Sequence, residues 1–236
     1  MKKAVAIILV ISLISVLVLS FAACDKQDGT GTETEPEVVL KNAVSISEEH
    51  ETYQEISITD FTYPQGFDVG LARLEVYNGE ENRWEAADEN SAFDPNKPTI
   101  FFAHGIGTDL HGRNPHAMYA KGYNVISFLW GVFSDNNVSL QNVEVLIWDR
   151  ITMYYDKEKS TVVMSDGFDC TVAEIYLARY CDFFKQYPGY NQPIIMTGHS
   201  YGGQLTCAMS GIMTKYRNEG KMNPAIFPIK YMLIDP

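Results

Sequence analysis

Pro193-Ile194-Ile195-Met196-Thr197-Gly198-His199-Ser200-Tyr201-Gly202-Gly203-Gln204-Leu205-Thr206 is the stretch on which the reading of this chain turns. Its first half is a short apolar run bounded by a proline, the pattern of a strand buried on both faces of a sheet. Its second half opens a helical pattern in which Leu205, Met209, Ile212, Met213 and Tyr216 share one face. Between the two stands G-x-S-x-G. Glycines two before and two after Ser200 leave room for a tight strand-to-helix turn that lifts the serine oxygen above the sheet. The helix N-terminus beneath it offers free backbone N–H groups and a positive dipole end. Three fixed positions alone are a weak signal. The strand before and the helix after make Ser200 a candidate nucleophile.

Working outward, Thr99–Ala103 and Asn124–Trp130 are two more short apolar runs, with a helix between them capped by Asn114, opened by Pro115 and ended near Gly122. Thr171-Val172-Ala173-Glu174 fits a capping box, followed by Val172, Ile175, Tyr176, Tyr180, Phe183, Phe184 and Tyr187 at helical spacing up to Pro188-Gly189. A last apolar strand runs from Lys230 to Ile234. This alternation of strand and helix predicts an α/β fold, a mostly parallel sheet with flanking helices and right-handed crossovers. Residues 38–97 read instead as a small β-rich N-terminal segment, with alternation at Ile56-Ser57-Ile58 and a hairpin signal at Leu74-Glu75-Val76-Tyr77-Asn78-Gly79. The aromatic stretch from Trp130 to Tyr155 is long for a connection and reads either as a lid or pocket insertion or as added core.

A second glycine-containing loop, His104-Gly105-Ile106-Gly107, follows the strand at Thr99–Ala103. With this loop, NVISFLW, VAEIYLARYCDFF, IIMTGHSYGGQLT and YMLIDP in place, the region from Pro98 to Pro236 resembles the α/β-hydrolase superfamily, and the lipases within it. That resemblance implies Ser200 as nucleophile, the amides of Ile106 and Tyr201 as oxyanion hole, and His104 and Gly105 as the loop that shapes it. It also implies Asp235, in Leu233-Ile234-Asp235-Pro236, as the triad acid, since lipases of the pancreatic type carry theirs in a similar L-D-P setting. The competing reading of Asp235 is a loop aspartate beside a proline. No metal or organic cofactor is implied.

One feature departs from the family. Its triad order is Ser, acid, His, and no histidine follows His199. The five histidines are His50, His104, His111, His116 and His199, and the last, beside the serine, is expected to turn away from the substrate. The expectation is that the chain is a C-terminally truncated fragment, 98–236 being an incomplete hydrolase core whose base lies beyond Pro236 and which is inactive alone. The alternatives are a pseudo-enzyme or a base recruited from His111 or His116.

At the other end, Lys2 and Lys3 precede an uninterrupted run from Ala4 to Ala23 that closes on Phe21-Ala22-Ala23-Cys24. Residues 1–23 read as an export signal, and the small residues before Cys24 look like a bacterial lipobox that would make Cys24 the lipidated mature N-terminus. An uncleaved spanning anchor is the competing reading. Residues 24–37, without a large apolar side chain after Cys24, read as a flexible tether. Both readings place the domain outside the cytoplasm, tethered to the cell membrane.

The formal charge of −12 makes nucleic acid and anionic headgroups poor partners, and 46% apolar residues exclude general disorder. Cys170 and Cys181 stand eleven apart, about 16 Å along a continuous helix, too far to bridge. Asp109, His111 and His116 lack the regular spacing of a metal site, and Leu110 breaks G-x-G-x-x-G, which disfavours a dinucleotide. The function expected is a membrane-tethered, extracytoplasmic serine hydrolase acting on a small-molecule or lipid carboxylic ester. The rival is a non-catalytic surface lipoprotein that uses the same scaffold to bind a ligand or partner.

Overall fold

Every apolar run that frames Ser200 pairs into one six-stranded sheet of order β2-β1-β4-β3-β7-β8. The structure, a computed structural model, describes residues 53–88, 91–107, 111 and 114–235. Its strands are β1 (Arg73–Asn78), β2 (Arg83–Ala86), β3 (Thr99–Ala103), β4 (Asn124–Leu129), β7 (Ile194–His199) and β8 (Lys230–Ile234), with a separate hairpin of β5 (Met153–Asp156) and β6 (Thr161–Met164). The helices are α1 (Pro115–Ala120), α2 (Gly131–Ser134), α3 (Leu140–Trp148), α4 (Val172–Lys185) and α5 (Tyr201–Asn218). Strands β4, β3, β7 and β8 are mutually parallel, while β1 runs antiparallel to both β4 and β2. The architecture is therefore α/β with a mixed, mostly parallel sheet, and the β1–β2 hairpin belongs to that sheet.

Strand alternation divides the sheet residues between two faces. Phe101, Ile126, Phe128 and Met196 turn to the face covered by α4 and α5, where Phe128 stacks on Tyr176 at 4.3 Å and Phe101 meets Tyr180 at 4.8 Å. All six are fully buried, and each contributes about 1.5–3 kcal/mol over an exposed side chain. The aromatics of α4 are thus core, as their spacing predicts. The opposite face carries Ile100, Phe102, Val125, Ile195 and Thr197, which line an open cavity together with Pro115 and Met118 of α1.

Local signals set the helix ends. Thr171 and Glu174 form the expected reciprocal capping box, and Asn114 accepts from the Ala117 amide ahead of Pro115. Two expectations need correction. Ile56-Ser57-Ile58 is not a strand, because Ser57 caps a 3-10 turn at Ile58–Asp60 and Asp182 accepts from the Ser57 hydroxyl and the Ile58 amide at 3.0 and 2.9 Å. The β1–β2 hairpin forms, but Asn78 pairs with Arg83, so the loop is longer than a two-residue Asn-Gly turn. The Asn78 side chain itself accepts from the amides of Glu80 and Glu81. The Trp130–Tyr155 stretch supplies core: Trp130, Val132, Phe133, Val138, Val143, Leu146, Ile147 and Ile151 are all buried.

The export signal, Cys24, the tether and residues 38–52 fall outside the described residues. Among the described residues no helix is long and apolar enough to cross a membrane.

Candidate active site

Strands β3 and β7 are neighbours, yet the chain leaves them in opposite directions. After β3 it passes through α1 on the open face and returns as β4; after β7 it passes through α5 on the covered face and returns as β8. A crevice outside the carboxyl ends of two such strands is where open α/β sheets bind ligands. His104 and Gly105 follow β3, and Ser200 follows β7, so both motifs meet at this switch point.

Ser200 holds φ 54° and ψ −130°, a left-handed conformation that L residues rarely adopt. Its amide donates to the Ile234 carbonyl at 3.0 Å, and its carbonyl accepts from Gly203 at 2.7 Å, which together pin the turn. Gly202 lets α5 close on β3: a Cβ there would lie 2.1 Å from the Ala103 carbonyl oxygen. Gly105 brings the first loop against the serine, since a Cβ at that position would stand 2.9 Å from Ser200 Cβ and 3.4 Å from its Oγ. Tyr201 is the first residue of α5, where N–H groups have no intrahelical acceptor.

Ser200 opens into a cavity of about 730 Å³ whose wall also includes Gly105, Ile106, Ile234 and Asp235. Asp235 follows β8 directly; Ile234 is in register with His199, so Asp235 and Ser200 succeed one another on adjacent strand ends. Its carboxylate accepts no hydrogen bond among the described residues, and it is exposed and lines the cavity. His199, expected to turn away, lies on the same cavity wall. Strand alternation sets it on the face of Ile195 and Thr197, and that face is the open one.

His111 and His116 pair with residues of β1. His111 Nε2 meets Glu75 Oε2 at 2.6 Å while its ring stacks on Trp84 at 4.4 Å, and Glu75 is shared with Arg73 at 2.8 Å. Glu75, Ser127, Phe102 and Thr197 form one register row, which places Glu75 about three strand spacings, roughly 14 Å, from β7. His116 Nδ1 lies 3.4 Å from the Tyr77 hydroxyl on the same strand. His111 also lines the cavity with Ser200, while among the described residues no imidazole hydrogen-bonds to the Ser200 hydroxyl. Asp109 falls outside the described residues; among those described, no group of three or more His, Cys, Asp or Glu side chains could hold a metal ion.

Three supports escaped sequence reasoning: Trp130 donates its indole N–H to the His104 carbonyl at 2.9 Å, Ser134 accepts from the Gly107 amide at 2.6 Å, and Glu75 ties down His111. They lie far from their partners in sequence, and no local pattern marks them. Burial shifts two groups outside the cavity lining: desolvation pushes the Cys170 thiol up to about 12 and raises the Glu55 carboxyl above its ordinary value. Cys170 and Cys181 are buried free thiols.

No protein-family model matches the chain, and no curated protein matches it. Among solved structures, the chain is similar to Kex1(delta)p, a prohormone-processing carboxypeptidase from Saccharomyces cerevisiae. The identity is 12% and the TM-score 0.37, over 75% of this chain and 43% of that one. A likeness that low carries no argument about fold or activity. This chain spans less than half the length of that relative.

Proposed function

We propose that this protein is a serine hydrolase of the α/β-hydrolase type that cleaves carboxylic esters, lipase-like in its elbow and strand-end motifs. The observation that carries the reading is the close approach of Gly105 to Ser200 at the switch point, which brings the loop of Ile106 to a serine in a strained turn. In this reading Ser200 Oγ attacks the ester carbonyl, and the amides of Ile106 and Tyr201 stabilise the oxyanion. In this reading a general base takes the hydroxyl proton and returns it to the leaving alcohol, and Asp235 would orient it. The apolar cavity wall suits an acyl chain. Lipidation at Cys24 and the acidic tether would hold the domain at the extracytoplasmic face of the cell membrane.

The test is covalent labelling of the full-length protein with a fluorophosphonate probe, alongside turnover of a short-chain p-nitrophenyl ester. Wild type is expected to label and turn over, and Ser200→Ala to do neither. A folded full-length protein that neither labels nor turns over would refute the reading. It would leave the rival, a scaffold for ligand binding, which draws on the lack of an imidazole at Ser200 among the described residues.

A further inference from the structure

Three histidines line the cavity that holds Ser200: His104, His111 and His199. Two of them are committed. His104 is 1% exposed, with Nδ1 2.7 Å from the Gly105 oxygen and Nε2 accepting from the Trp130 amide at 3.4 Å. His111 is held on the β1 side of the sheet, by Glu75 through Nε2 and by the Trp84 ring. His199 differs: it is exposed, and among the described residues it makes no hydrogen bond, ion pair or ring contact.

The backbone explains where His199 points. Side chains alternate along a strand, so the turn that sets Ile195 and Thr197 on the open face carries His199 there too. One residue later the Ser200 amide donates to the Ile234 carbonyl at 3.0 Å, which ties the end of β7 to the end of β8. Ile234 is the register partner of His199, and Asp235 follows it. With strands about 4.8 Å apart and residues about 3.3 Å apart along each, the Cα atoms of His199 and Asp235 stand about 6 Å from one another. The Cα of Ser200 is about 3.8 Å from that of His199. Ser200 at φ 54° and Asp235 at φ 47° are both left-handed without being glycine, a strain that surrounding structure must hold and that gathers at active sites. Imidazole, hydroxyl and carboxylate therefore share one wall of the cavity, on a frame fixed by strand pairing.

We infer that His199 is the general base of this site and that Asp235 positions its ring. The inference rests on the serine-hydrolase reading above. One ring nitrogen takes the Ser200 hydroxyl proton as Oγ bonds to the ester carbonyl carbon, while the other faces the Asp235 carboxylate, which stabilises the imidazolium. The imidazolium gives that proton to the alcohol oxygen as its bond to the carbonyl carbon breaks. In the second half-reaction the ring takes a proton from the water that attacks the acyl-enzyme and returns it to Ser200 Oγ, releasing the carboxylic acid. The chain order His, Ser, acid departs from the Ser, acid, His order that the resemblance implies, but a triad is defined by geometry and roles. Catalytic hydrogen bonds are often long before substrate binds and tighten in the complex. The exposed His199 ring is free to swing to that position, since no hydrogen bond among the described residues holds it elsewhere.

The test uses the full-length protein. His199→Ala should lose about 10²–10⁴-fold in ester kcat with KM nearly unchanged, and fluorophosphonate labelling of Ser200 should slow in parallel. The open cavity of about 730 Å³ admits free imidazole, which should restore turnover to His199→Ala but none to Ser200→Ala. His199→Gln, polar but without a basic nitrogen, should be as slow as His199→Ala, and it carries the test if the alanine variant does not fold. Asp235→Asn should cost activity in wild type and nothing further in His199→Ala, because its effect passes through the ring. An active wild type with His199→Ala or His199→Gln equally active overturns the inference while the hydrolase reading stands. So does a loss in His199→Ala that imidazole does not recover, or an Asp235→Asn cost that is the same in both backgrounds. A folded wild type that neither labels nor turns over refutes the hydrolase reading, and the assignment of a base falls with it.

Discussion

Replacing Ser200 with glycine should stabilise the protein while removing the group its site is built around. At φ 54° and ψ −130° the residue borders a region that only glycine occupies freely, and holding a Cβ there costs about 1–3 kcal/mol. Alanine keeps the Cβ and the strain, so Ser200→Ala should melt near wild type. Glycine removes both but adds about 0.4–1 kcal/mol of unfolded-state entropy, which leaves a net gain of about 1 kcal/mol over alanine. For a domain of this size that is about 2–4 °C. Calorimetry of the three proteins, with urea unfolding to check that m is constant, reads the difference. If Ser200→Gly melts at or below Ser200→Ala, the turn is not strained and the elbow geometry is wrong.

Gly202→Ala puts a Cβ 2.1 Å from the Ala103 oxygen and 2.4 Å from that of His104, so α5 and the end of β3 must part by over an ångström. Urea unfolding should show a loss of roughly 1–3 kcal/mol, and ester turnover a fall of about 10²-fold from the displaced loop; wild-type behaviour in both would contradict the close approach. Glu55 supplies a pH test. Burial raises its carboxyl above the ordinary 4.5, against the opposing effect of the Asn223 amide, so the folded state binds a proton that the unfolded chain releases. Stability from this group is therefore present below pH 4.5 and lost as pH rises through the folded value. Glu55→Gln should gain stability at neutral pH and none below 4.5, and a gain that persists in acid would rule out this cause.

The elements legible in the sequence are those whose signals are local. Thr99–Ala103 and Lys230–Ile234 form strands over the ranges their apolar runs mark, and the Thr171–Glu174 capping box starts α4 where expected. Ile56–Ile58 misled because alternation over three residues is short, and Asp182, 125 residues from Ser57, bonds that segment as a capped turn. His111 looked available as a base because nothing near it in sequence reveals Glu75 and Trp84, which belong to the hairpin that the fold brings alongside.

The sequence by itself determined that Ser200 stands in a tight turn between a strand and a helix, because glycine spacing and hydrophobic period act within a few residues. The tertiary structure alone decided what that serine faces. Ala103 is in register with Gly198, and this parallel pairing of β3 with β7 carries His104 and Gly105 to Ser200. Such pairings depend on sheet order across some hundred residues of chain, and burial of both sheet faces selects that order collectively rather than any single motif.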